Sequence, residues 1–105
     1  MRVTLKNNAL ESQNSRQGIF KPSSTVNGRP SWTSASQAIW YMQNNNKKWH
    51  IGALDKIGTT TAGILSEVVD ELVDPQNVLS WQYWSDKWTS TDDKNDIIVE
   101  RINCE

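Results

Sequence analysis

The stretch from Ala38 to Leu54 constrains the fold of this chain more than any other. Two runs rich in aromatic and β-branched residues, Ala38-Ile39-Trp40-Tyr41-Met42 and Lys48-Trp49-His50-Ile51-Gly52-Ala53, flank Asn44-Asn45-Asn46. Asparagine tolerates positive φ better than any residue except glycine, so the triplet is suited to reversing the chain, and the segment reads as a β-hairpin. In the second arm Trp49, Ile51 and Ala53 fall on one face and Lys48, His50 and Gly52 on the other. That alternation predicts a core side and a solvent side, with His50 on the solvent side.

The 105 residues suit one domain, 1–105, with one core. Apolar content is only 36%, so the six tryptophans, each able to bury about 150 to 250 Å², become the main core material. The single cysteine, Cys104, allows no intramolecular disulfide, and no Asn-x-Ser/Thr acceptor is present. A reducing, cytoplasmic setting is the expectation, with secretion the alternative if the chain is a processed fragment. Residues 1–10 lack the apolar run of a signal peptide, and no stretch nears the ~20 apolar residues of a membrane span.

A net charge of −1 gives no electrostatic reason to expect nucleic acid. Its distribution is uneven: residues 1–65 carry eight Lys/Arg against two acids, and residues 66–105 three against ten. The two halves are expected either to compensate each other by lying together or to give a dipolar surface that stacks head to tail.

Along the chain, Val3 and Leu5 alternate with charged neighbours as in an edge strand, and 7–17 is polar and reads as a loop. Gly18-Ile19-Phe20 can open a strand, which Pro22 interrupts. Asn27-Gly28 is the strongest two-residue turn signal. Ile64, Leu65, Val68, Val69, Leu72 and Val73 recur at helical spacing with polar residues between them, predicting a short helix over Ile64–Val73 that Pro75 stops. Val78 to Trp84 returns to period two, with Trp81 and Tyr83 opposite Gln82 and Trp84, and Ile97 to Ile102 closes the chain as a strand. The fold class expected is mainly β: a small antiparallel meander or barrel-like sheet with one short helix.

Asn27-Gly28-Arg29-Pro30-Ser31-Trp32, Ala38-Ile39-Trp40-Tyr41, Trp49-His50-Ile51-Gly52, Pro75, Trp81-Gln82-Tyr83, Trp88 and Ile97-Ile98-Val99 follow one another in order. In these residues the chain resembles a small tryptophan-rich module that recurs, as repeats or as an appendage, in protist and invertebrate proteins. The resemblance covers Gly18 to Cys104 and implies a β fold; it brings no assigned activity and no catalytic residue. In similar sequences the segment around Ile64 often reads as extended, an alternative to the helix.

No zinc-type Cys/His set, phosphate-cradling loop or nucleophile elbow is present, so no catalytic residue, metal or cofactor is expected. Asp92, Asp93 and Asp96 lack the glycine and terminal glutamate of an EF-hand and suit a solvated loop. A Cys104–His50 pair has no surrounding motif. The tryptophans not needed for the core carry the functional expectation. Trp40, Trp49 and Trp81 suit the interior, whereas Trp32 and Trp88 lie in turn-rich segments and Trp84 shares a face with Ser80 and Gln82. Trp32, Trp84 and Trp88, with Arg29, Lys87 and His50 beside them, are the candidate binding residues. They fit a non-catalytic module that binds a protein partner, with the monomer as the default state. A carbohydrate-binding module, using coplanar rings and Asn44, Asn45, Gln82 or Asp86 as hydrogen-bond partners, is the alternative; a small hydrolase is the third reading.

Overall fold

The computed structural model describes residues 1–43, 47–70, 72–91 and 96–102. Among the described residues ten short strands form two antiparallel sheets: β1 (Arg2–Leu5), β2 (Gly18–Ile19), β3 (Lys21–Pro22), β4 (Trp32–Thr33), β5 (Gln37–Met42), β6 (Lys48–Ala53), β7 (Ile64–Ser66), β8 (Trp81–Trp84), β9 (Trp88–Ser90) and β10 (Ile97–Glu100). The larger sheet runs β3-β4-β5-β6-β7-β8-β9, a meander in which every neighbour in sequence is a neighbour in space. The smaller runs β10-β1-β2. The meander ends at β3 and β9 and does not close into a barrel.

The hairpin around which the chain is organised is β5 and β6, paired in register from Gln37–Ala53 to Met42–Lys48. The asparagine triplet assigned to its turn lies outside the described residues. Asn27 and Gly28 take φ of 54° and 81°, and Val26 and Arg29 exchange both backbone hydrogen bonds across them, as a primed two-residue turn requires.

Alternation along the central strands selects the core. Ile39, Tyr41, Trp49, Ile51, Ile64, Trp81 and Tyr83 from the meander meet Met1, Val3, Leu5, Ile97 and Val99 from the small sheet in one buried cluster. Trp40, Trp49 and Trp81 are all buried, as their positions predict. β1 is not an edge strand, because β10 and β2 pair with it on either side.

The predicted helix over Ile64–Val73 is absent from that segment. Ile64–Ser66 is a strand held between β6 and β8, and the described residues among 67–74 form no helix. The side chains of the core hairpin explain the difference. The Tyr41 hydroxyl donates to the Val69 carbonyl at 2.7 Å, and Trp49 Nε1 donates to the Val73 carbonyl at 2.6 Å. Tyr41 thus takes a carbonyl that the helix would have used, Trp49 pins the loop at Val73, and each buried aromatic satisfies its own polar end. The one α-helix among the described residues is α1 (Asn7–Gln13), in the stretch read as a loop. It buries only Ala9 and Gln13 fully, too few apolar positions to give a periodic signal.

Candidate binding site

The six residues singled out by the sequence go to three separate places. Trp84 and Trp88 stand directly opposite each other at the end of the β8–β9 hairpin, across the turn Ser85-Asp86-Lys87. Asp86, with φ of 64°, makes the reversal, and the Ser85 amide donates to the Lys87 carbonyl at 3.0 Å. Cross-strand register brings the indoles to a centroid separation of 5.4 Å at 72°, an edge-to-face pair. They remain 46% and 38% exposed, and Lys87 beside them is exposed as well. Gln82 lies on the same face, half-buried. The base of the hairpin is fixed: the Trp84 amide donates to the Gly63 carbonyl at 2.9 Å, and Gln13 Nε2 of α1 donates to the Trp84 carbonyl at 2.8 Å.

Trp32 and Arg29 lie at the other end of the meander. Trp32 is half-buried, its ring 5.9 Å from that of Trp49. Arg29 Nη2 makes an ion pair with Asp74 Oδ1 at 3.1 Å, tying the Asn27-Gly28 turn to the loop before Pro75. Between them opens a cleft of about 240 Å³, lined by Pro22, Ser23, Pro30, Ser31 and Trp32 from one side and Asp74, Gln76 and Arg101 from the other. Sequence reasoning missed Asp74 and Gln76, since only the folded loop brings them to Trp32. A second cleft is bounded by Gln76, Val78, Leu79, Trp81 and β10, and Leu79 is 82% exposed.

His50 departs most from expectation. It is on the face opposite Trp49 and Ile51, as read from the alternation, but it is fully buried. Residues 54–62 fold back over that face. Trp40, whose ring centroid is 5.7 Å from that of His50, donates from Nε1 to the Thr59 carbonyl at 2.9 Å, and a Cβ on Gly52 would stand 3.0 Å from Ala62 Cα. His50 Nδ1 lies 3.1 Å from the Lys48 carbonyl and so carries the proton that it donates, while the buried Nε2 has no partner among the described residues. Burial pushes its pKa down to about 4, with the nearby Lys48 charge adding to the shift and the Lys48 carbonyl opposing it. His50 is therefore a neutral core residue, not part of a binding surface.

Asp96 is also structural: its carboxylate accepts from Asn7 Nδ2 at 2.8 Å, and its carbonyl accepts from the Lys6 amide at 2.8 Å. Asn44, Asn45, Asp92, Asp93 and Cys104 lie outside the described residues. Among the described residues no three His, Cys, Asp or Glu side chains come together as metal ligands would, and no helix is long and apolar enough to cross a membrane. The chain matches no family model, no curated protein and no solved structure.

Proposed function

We propose that this chain is a non-catalytic interaction module that binds a protein partner through Trp84 and Trp88. The observation that carries this reading is the exposed edge-to-face pair at the hairpin end, across the last two strands of the meander. Tryptophan is among the residues most enriched at interface hot spots, and a ring pair set on a braced hairpin loses little conformational freedom when a partner covers it. Lys87 supplies a charge at the rim, where charges direct association more than they add affinity. Rings at 72° to each other offer no flat double platform for a sugar, so the geometry of this hairpin favours a protein surface over a carbohydrate.

Selection of peptides from a random library on the immobilised chain, followed by calorimetry, tests the reading. The expected outcome is that Trp84→Ala or Trp88→Ala weakens selected binders by tenfold or more, about 1.4 kcal/mol, with an unchanged melting curve. Binders indifferent to both substitutions would remove the basis of the proposal.

A further inference from the structure

β9 is the last strand of the meander, and register decides which of its backbone groups are used. Along an antiparallel pair, residues that exchange N–H and C=O with the opposite strand alternate with residues that turn both groups away from it. The Trp84 amide donates to the Gly63 carbonyl at 2.9 Å, on the β7 side, so Trp84 and Trp88 face each other as a non-hydrogen-bonded pair. Thr89 then exchanges its backbone bonds with Tyr83, while Trp88 and Ser90 turn their N–H and C=O groups outward, away from β8. Among the described residues none bonds to these groups, and both residues are exposed.

The side chains follow the same parity. Trp88 and Ser90 share a face with Trp84 and Gln82. A non-hydrogen-bonded pair brings opposed side chains closest, which sets the two indoles in contact and leaves the outer side of Trp88 at the sheet edge. β9 itself has no proline and no charged residue, the devices that discourage strand addition, in contrast to Lys21 and Pro22 at the other end of the meander. The edge is also rigidly placed, since Gly63 and Gln13 hold Trp84 from behind.

We propose that the partner binds by adding one extended strand to β9, taking up the outward N–H and C=O groups of Trp88 and Ser90 and laying an apolar side chain against the Trp88 indole. This rests on the reading of Trp84 and Trp88 as binding residues and specifies what they bind. Only another peptide backbone carries donors and acceptors at the spacing of a strand. The segment it fits alternates, with an aromatic or β-branched residue beside Trp88 and a small or polar one beside Ser90. An acidic residue suits the end near the exposed Lys87. Because an edge of three residues offers few backbone bonds, each gaining little over the bond to water that it replaces, the indole contact is needed to hold the strand. A second copy of this chain fits less well. A two-fold pairing of β9 with β9 that uses both residues sets each Trp88 opposite a Ser90, so neither indole gains an apolar partner across the seam.

The test takes the tightest peptide selected on the full chain and reads three quantities. Hydrogen exchange by NMR should slow at least tenfold at the Trp88 and Ser90 amides in the complex, whereas the Thr89 amide, already bonded to Tyr83, should change little. Methylating the peptide's backbone nitrogens one at a time should abolish binding at alternate positions within one stretch. Ser90→Pro, which removes an outward N–H that β8 does not use and sits where an edge strand accepts proline, should weaken the peptide about tenfold and leave the Trp84–Trp88 contact in place. If that variant fails to fold, exchange and the methylation scan still decide. The proposal is overturned if a peptide that requires Trp84 and Trp88 binds without slowing exchange at Trp88 and Ser90, or tolerates methylation at every position, or binds folded Ser90→Pro as it binds the parent; each of these leaves the hairpin reading intact. Peptides indifferent to both tryptophans would instead remove the hairpin reading and this one with it.

Discussion

His50 shows how a residue can be assigned to the right face and the wrong environment. Its parity along β6 was legible, because two-residue alternation follows from strand geometry alone. What covers that face was not, since the cover comes from residues 54–62 and from Trp40 on the neighbouring strand. The burial has a consequence for pH. In the folded chain the imidazole stays neutral down to about 4, whereas in the unfolded chain it takes up a proton near 6.5. Between those values the unfolded state binds more protons, so stability is complete above 6.5 and falls as the pH drops through this window. The loss by pH 4 should be roughly 3 kcal/mol. Other acids titrate in the same range, so the measurement is a difference: denaturant unfolding of the parent and of His50→Phe at several pH values. The variant should lose less stability between pH 6.5 and 4, and parallel curves for the two proteins would refute the assignment.

At the scale of elements, the two misread segments share one cause. Local pattern predicts a helix where apolar residues recur three and four apart, but Val68 and Leu72 of that pattern are 64% and 78% exposed, so no continuous apolar stripe is buried. The ladders to β6 and β8 claim Ile64–Ser66, and the polar ends of Tyr41 and Trp49 claim the carbonyls beyond. The Asn27-Gly28 turn and the β5–β6 hairpin were legible because turn chemistry and alternation there agree with the tertiary fold. α1 was invisible because it buries only Ala9 and part of Leu10 as apolar side chains, and its other anchor is polar: Gln13 reaches the Trp84 carbonyl, a contact that no periodicity encodes. For the candidate site, surplus tryptophan pointed correctly to Trp84 and Trp88 as exposed, but gave no hint of Asp74 or Gln76. The carbonyl-capture account is tested by Tyr41→Phe, which deletes one hydroxyl and nothing else. We expect a loss of about 1 to 2 kcal/mol in denaturant unfolding, with faster amide exchange at Val69 and Val73. Unchanged exchange there would mean that the loop is held by something other than the hydroxyl.

At the scale of the whole molecule, the uneven charge along the sequence is partly cancelled by the fold. β1 from the basic half pairs with β10 from the acidic half, and Arg2–Glu100 and Arg29–Asp74 are ion pairs between the two halves. What asymmetry survives is exposed, and contacts between exposed charges act over about 8 to 10 Å at ordinary ionic strength, each contributing at most about 1 kcal/mol. The edges of the meander differ in their protection. β3 carries Lys21 and Pro22, which discourage strand addition, whereas β9 begins with Trp88 and has no proline. Charge matching alone is therefore too weak to hold two copies together, and the expected state in isolation is a monomer. Any self-association should be head to tail and should dissolve as salt rises. Sedimentation at low and at molar salt decides the matter. A dimer that persists in molar salt would show that an apolar interface holds the copies together; loss of that dimer in Trp88→Ala would place the interface at the β9 edge, where a protein partner would have to compete with the second copy.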